Sequence, residues 1–368
     1  MAVERDASLA VFPAGSDSAV VDRQGAGVPP WLSFFISIGA VVPLAAVIAA
    51  ATSQAALTKD PRVGGLLNAT FGNVPDLLIG YFGVRAGLLT FVKATLVGAI
   101  ISNTALIVGL AFIAAGIRDG YTRFDAREVG GHTGLMLLAV GGMLLPSITA
   151  ATVRSTPPLI SLSVGVAIIL LVAYVAYLAF SVFGLIGGPT TPGDPAMESD
   201  VIESTACVLE EQQQRWPFWL SVIVLLAAAG ALAPVTGVLV ASVTPTIRVL
   251  GWTEAFVGVI FVANAGNAAE MYSAVAMGTR GRLNLSLEVA SGSSIQIATF
   301  IAPLLVLLSL PIHPMDLVFS PLELAIVGLV VAIFAYVAHD GEANWLEGAQ
   351  LVAIYLMAAA VFYVLPRL

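Results

Sequence analysis

Two short motifs place a carboxylate in sequence that is otherwise almost wholly apolar. Gly72-Asn73-Val74-Pro75-Asp76 lies within GGLLNATFGNVPDLLIG, and Gly266-Asn267-Ala268-Ala269-Glu270 lies within VIFVANAGNAAEMYSAVAMG. A carboxylate at the centre of a bilayer costs about 2.5–3.5 kcal/mol on insertion scales, and such residues mark ion paths and proton relays. Two of them, each preceded by a Gly-Asn pair, point to one site that binds a cation. Gly72, Pro75 and Gly266 loosen the helices that carry them: glycine adds backbone freedom, and proline removes an N–H and crowds the preceding turn. Carbonyls freed this way survive in a membrane only where they face a cavity or other protein. Carboxylate, amide oxygen and free carbonyl form a hard-oxygen set that suits Ca²⁺ ahead of Na⁺ or Mn²⁺. Asp76 and Glu270 are therefore the expected metal ligands. A divalent cation neutralises both. Without it, desolvation and like-charge repulsion recruit protons to the same oxygens, and this competition is the physical basis of proton–cation antiport.

Other polar residues are candidates to complete the shell. Asn73 and Asn267 belong to the motifs, Ser102 and Asn103 end GAIISN, and Ser293, Ser294 and Gln296 sit in SGSSIQ. The bland alternative for the hydroxyls is close helix packing with a bond back to the backbone. Asn68 and Thr70 are spaced a turn from the first motif and support it. Glu288 reads as a gate or, by preference, a helix N-terminal charge, and Glu323 after Ser320-Pro321 reads as an N-terminal charge. His339, Asp340, Glu342 and Glu347 look chelating but read as a solvated turn and helix start. No phosphate-cradling loop and no Ser/His/Asp nucleophile set occurs, so neither ATP hydrolysis nor covalent catalysis is indicated and the chain does not read as an enzyme.

The elements that must hold these residues are membrane helices. Hydrophobic residues make up 58% of the 368 and charged residues 10%, against about 25% charged in soluble chains. A mean hydropathy of +0.96 with repeated long apolar runs defines an all-α integral membrane protein. Ten spans are expected, at 31–57, 63–84, 88–116, 132–152, 158–186, 217–248, 252–278, 285–310, 320–338 and 345–365. Residues 1–30 read as a disordered tail, and 187–216 as a polar, acidic cytosolic linker. The linker divides the spans into five-helix repeats over 31–186 and 217–368. An odd number per half inverts the second, and the motif falls in the second span of each, so the site belongs at the midplane between inverted repeats. Lys59, Arg62, Arg118, Arg123, Arg127, Arg215, Arg280 and Arg282 on the linker side outnumber Arg5, Arg23, Arg85, Arg154, Arg248 and Arg367 opposite, which favours a cytoplasmic linker. The single cysteine, Cys207, excludes an intrachain disulfide. No basic cluster suggests nucleic acid. No targeting segment is evident, which points to a prokaryotic plasma membrane. Beyond the lipid bilayer, the expected partners are a cation, H⁺ and, compatibly, further copies of the chain. No cofactor is expected besides the transported Ca²⁺ or related cation.

The chain resembles the calcium/cation–proton exchanger family of the cation/calcium exchanger superfamily. The matching segments are GGLLNATFGNVPDLL (64–78), RAGLLTFVKATLVGAIISNTALIVGLAF (85–112), GNAAE (266–270), GSSIQIATFIAPLLVL (292–307), VFSPLEL (318–324) and HDGEANWLEG (339–348). That resemblance implies secondary-active Ca²⁺/H⁺ antiport, a central Ca²⁺ site and an acidic cytosolic helix joining the halves. It also marks departures that make this a divergent member. Asp76 stands where Glu is usual, and Met271 where His is usual. The first helix of each half, AAATSQAAL and TGVLVASVTP, lacks its usual acid, a common initial helix is missing, and the linker helix retains only Glu203, Glu210 and Glu211. Ca²⁺/H⁺ exchange is the expected activity, and the missing acids point toward its alternative, Na⁺-coupled or monovalent-cation/H⁺ exchange on the same fold. A non-transporting membrane cation sensor or scaffold is the other alternative.

Overall fold

The computed structural model describes residues 28–57, 67, 70–152, 156–181 and 216–364. The expected tail apart from residues 28–30, and the expected linker apart from Trp216, lie outside the described residues. So do Asn68, Cys207, Glu203, Glu210 and Glu211.

Helices dominate. In chain order they are α1 (Pro30–Leu57), α2 (Val74–Arg85), α3 (Leu89–Asp119), α4 (Ala126–Thr152), α5 (Thr156–Ser181), α6 (Phe218–Leu250), α7 (Glu254–Gly266), α8 (Ala268–Thr279), α9 (Leu283–Ser309), α10 (Pro321–Val337) and α11 (Trp345–Val364). Two-residue strands β1 (Thr122–Arg123) and β2 (Glu342–Ala343) pair antiparallel beyond the helix ends. Starts and stops follow local chemistry. Ser320 and Glu323 form a reciprocal capping box at the start of α10, with Pro321 in its first turn, where a missing N–H costs nothing. Gly251 ends α6 with φ +68, a left-handed conformation open to glycine.

Among the described residues seven helices are long and apolar enough to cross a membrane: α1, α3, α4, α5, α6, α9 and α11. The continuous spans expected over 63–84 and 252–278 are interrupted. α2 is a 12-residue helix preceded by a turn at Gly72–Asn73, and α7 and α8 are separated at Asn267. The hydropathy profile registers apolar length and is blind to a break whose residues, Asn73 and Asn267, are themselves buried. Pro75 occupies the first turn of α2, directly after the interruption.

The centre of the bundle is α3 and α9. In the most apolar window of α3 83% of residues are buried and in that of α9 67%, against 22% for α5 and 28% for α4 and α6. α5 accordingly shows Ile168, Ile169, Val172 and Val175 outward, and α4 shows Leu137, Leu138, Leu145 and Ile148, as lipid-facing helices do. α1 and α6, the first long helices of the two halves, pack on each other, and α3 packs on α7. A Cβ on Gly98 of α3 would lie 2.4 Å from the Val259 Cα, so backbones touch there, as small residues allow in membranes. Between α9 and α10 an extended segment is held by hydroxyls: Ser309, Ser163 and Ser147 accept the N–H groups of Met315, Leu317 and Phe319. Lys93 pairs with Asp316 and donates to the Val318 carbonyl.

Candidate functional site

The two motifs fold alike. Asn73 precedes α2 with φ −100 and ψ 25, and Asn267 precedes α8 with φ −90 and ψ 12; neither side chain caps its helix. Both lie near the bridge region, a sparsely populated conformation common at functional sites. Each carboxylate follows three residues later, in the first turn, where the helix dipole favours negative charge. Gly72 forms the turn before Asn73, and Gly266 ends α7 directly before Asn267.

The motifs also meet. A Cβ on Gly266 would lie 2.8 Å from Asp76 Oδ1, so the Asp76 carboxylate occupies the space that any other residue at 266 would fill. Asp76 and Glu270 are electrostatic neighbours that repel when both are charged. Asp76 and Asn267 are buried, and Glu270 is half-buried.

A chain of side-chain hydrogen bonds ties the halves together around this point. Asn103 Nδ2 donates to Ser293 Oγ at 2.9 Å, Ser293 donates to Asn73 Oδ1 at 3.0 Å, and Asn73 Nδ2 donates to Gln296 Oε1 at 2.5 Å. Asn267 Nδ2 donates to the Ala99 carbonyl at 3.4 Å. Ser102 donates to Asn264 Oδ1 at 2.7 Å, and Ser294 and Thr104 share a hydrogen bond of 3.1 Å. Each central helix is locally underwound into a π-segment, Ser102–Ile107 in α3 and Ile297–Ile301 in α9, with a third, Val257–Val262, in α7. Such π-segments recur at functional sites.

Four buried oxygens here have no hydrogen-bond partner: Asp76 Oδ1, Glu270 Oε2, Asn103 Oδ1 and Asn267 Oδ1. A buried polar atom left unsatisfied costs about 1–3 kcal/mol, more when charged, and calls for an explanation. All four are acceptors, two on carboxylates and two on neutral amides. The expected site residues thus fall into two groups. Asp76, Glu270, Asn103 and Asn267 hold uncommitted oxygens. Asn73, Ser293 and Gln296 are committed to one another, and Ser102 and Ser294 to Asn264 and Thr104. Among the described residues no cluster of three or more His, Cys, Asp or Glu side chains could hold a metal, so any ion here rests on two carboxylates and amide oxygens.

Other expectations fare unevenly. Glu323 caps α10 as expected. His339 and Asp340 are exposed, Asp340 accepts from the Glu342 N–H, Glu342 pairs with Arg123, and Glu347 accepts from the Asn344 N–H, so this is a turn and helix start. Glu288 is half-buried in the second turn of α9, whose first turn has no acid, so it is not the helix N-terminal charge expected. Thr70 is exposed. Met271 packs against the core. Sequence reasoning missed Tyr355, whose hydroxyl accepts from Asn264 Nδ2 at 2.6 Å, and His132, bonded to Ser291 and Tyr177. Neither sits in a motif.

Residues 29–183 and 220–364 match the family model described as sodium/calcium exchanger protein. The chain belongs to this family. Among exchanger relatives, the Ca²⁺/H⁺ antiporter of Aphanothece halophytica is 37% identical, with 91% of each chain covered. The Ca²⁺/H⁺ antiporter ChaA of Bacillus subtilis (strain 168) is 33% identical over 92% of this chain and 93% of its own. The crystal structure of the selenium-substituted Ca²⁺/H⁺ antiporter protein YfkE superposes with a TM-score of 0.76 at 31% identity, covering 92% of this exchanger and 93% of that chain. The likeness spans both halves of the exchanger.

Proposed function

We propose that this exchanger is a Ca²⁺/H⁺ antiporter whose shared cation and proton site is formed by Asp76 and Glu270. The observation that carries the reading is the seating of the Asp76 carboxylate on Gly266 of the opposite motif, with four acceptor oxygens there left without donors. Ca²⁺, the substrate, takes oxygen ligands in flexible geometry, and two carboxylates neutralise its charge. Asn103 and Asn267 add neutral oxygens. Asn73, Ser293 and Gln296 hold the motif turns against α9 so that these oxygens stay together. When the ion leaves, protons take its place on the carboxylates, which lowers the cost of carrying the empty site across the membrane cycle.

The architecture proposed with this function is ten membrane helices in two inverted five-helix repeats over 31–186 and 217–368, joined by a cytosolic linker, in the plasma membrane. Supporting it are the near-equal backbone angles at Asn73 and Asn267, the π-segments in both α3 and α9, and the match of one family model to each half. α2 and the α7–α8 pair serve as the second span of each repeat, broken at the site as in other inverted-repeat transporters. Access alternates as helices rock about that fixed point.

The test is transport by purified protein in liposomes. A pH gradient, acid inside, drives ⁴⁵Ca²⁺ uptake, and a protonophore with a K⁺ ionophore collapses it. Uptake driven by an outward Na⁺ gradient but not by the pH gradient would overturn proton coupling and leave Na⁺-coupled exchange in its place.

A further inference from the structure

A second buried polar cluster lies beside the site and is not used by the mechanism above. His132 of α4 is buried. Its Nδ1 lies 2.7 Å from Ser291 Oγ on α9, and its Nε2 lies 3.1 Å from the Tyr177 hydroxyl on α5. Ser291 donates its only hydroxyl proton to the Leu287 carbonyl at 2.6 Å. Counting hydrogens then assigns the roles: Ser291 must accept, so His132 donates from Nδ1–H, and in the neutral ring Nε2 accepts from Tyr177 O–H. The bonds run one way, Tyr177 to His132 to Ser291 to the α9 backbone, and each imidazole nitrogen is spoken for.

What this chain holds is the part of α9 that faces the site. Ser291 is two residues from Ser293, which bridges Asn103 and Asn73, and five from Gln296, which accepts from Asn73. One turn along α4 from His132, Met136 Sδ accepts from Thr104, which is bonded to Ser294. Tyr174 of α5 stacks on Phe300, in the π-segment of α9, with centroids 5.3 Å apart. α4 and α5 thus grip α9 on both sides of its Ser293–Gln296 stretch. A helix loosened by a π-segment has less of its own ladder to fix it, so an external hold on its rotation matters most there. The other half repeats the scheme: the Tyr355 hydroxyl of α11 bonds Asn264, and Asn264 bonds Ser102, next to Asn103 on α3. Each half's last helix fixes, through one intermediate side chain, a serine on a central helix. The intermediate is a histidine in one half and an asparagine in the other.

We infer that His132 is a positioning residue for the exchange reaction: bridging Tyr177 and Ser291, it fixes α9 so that Ser293 and Gln296 keep Asn73 and Asn103 in register around the cation. This rests on the proposed function and adds to it a residue that touches neither ion nor carboxylate. The effect belongs in apparent Ca²⁺ affinity, because what is lost is the preset geometry of the loaded site.

Proteoliposome transport of four variants tests it. His132→Leu, which fills the space and bonds nothing, raises the half-saturating Ca²⁺ concentration about tenfold, the worth of roughly one buried hydrogen bond, with a smaller change in maximal rate. Ser291→Ala gives a similar rise. The His132→Leu/Ser291→Ala double variant is no worse than either single, since both break one chain. His132→Gln, whose amide can donate to Ser291 and accept from Tyr177, stays within about twofold of the parent. Half-saturation unchanged in His132→Leu, additive losses in the double variant, or His132→Gln as impaired as His132→Leu would each overturn the role. Where His132→Leu does not fold, Ser291→Ala decides: a raised half-saturation supports the role and an unchanged one overturns it. Failure of the parent to take up Ca²⁺ would instead overturn the proposed function, so the two failures are distinct.

Discussion

Glu270→Gln, and equally Asp76→Asn, lowers pH-driven Ca²⁺ uptake at least about 100-fold, since deleting one partner of a buried charge cluster costs about 3–5 kcal/mol. The substitutions keep size and shape and remove only the charge. Among the described residues no third His, Cys, Asp or Glu joins the two carboxylates in a cluster that could hold a metal, so no third carboxylate there takes up the lost charge. Each amide also loses the exchangeable proton, so the effect falls on maximal rate as well as on affinity. Folding is not the casualty. A buried neutral amide is cheaper than a buried carboxylate, so in Ca²⁺-free buffer the thermal midpoint of each variant stays at or above that of the parent. Ca²⁺ stabilises the parent by mass action and leaves the variants unmoved. Uptake retained above a tenth of the parent rate in either variant would contradict the assignment.

Gly266→Ala is the second large effect, and it comes from a single methyl group. The new Cβ falls 2.8 Å from Asp76 Oδ1, closer than carbon and oxygen pack, so the carboxylate must move away. Shifts near 1 Å in a preset site can cost about 100-fold. The expected loss in Ca²⁺ affinity is about 10- to 100-fold, with the protein still folded, because α7 is helical there and alanine favours a helix over glycine. Gly292→Ala is the matched control: it lies on α9 next to Ser293, and its Cβ meets nothing within 4 Å. Transport kinetics of the two variants side by side check the expectation, and equal behaviour would show that contact between the motifs is not what shapes the site.

Much of this site could be read from residue types alone. Asp76 and Glu270 stood out because a charge in apolar sequence is expensive, and the Gly-Asn pair before each gave the common frame. Asn103, Ser293 and Gln296 were visible as polar residues in otherwise apolar spans; Ser293 and Gln296 do meet Asn73, and Asn103 meets Ser293. Two things were less legible. Hydropathy reports apolar length, so the interruptions at Asn73 and Asn267 merged into continuous spans. Partner choice depends on rotation between helices: nothing local says that Ser102 turns to Asn264 while Ser293 turns to Asn73, or that His132 and Tyr177, 45 residues apart, share a hydrogen bond. Asn264 and Tyr355 show the same limit, since an amide and an aromatic ring on separate helices carry no common spacing.

Proton release on Ca²⁺ binding tests the shared-site claim most directly. Ca²⁺ is added to purified exchanger in detergent with a pH indicator at low buffer strength, while binding is followed by calorimetry across pH. The predicted result is acidification that saturates with the bound ion, with Ca²⁺ affinity rising as pH rises, because each proton on Asp76 or Glu270 must leave before the ion can bind. The release disappears in the Asp76→Asn/Glu270→Gln variant. Ca²⁺ binding with no proton release and an affinity independent of pH, or undiminished release from the double variant, would contradict it.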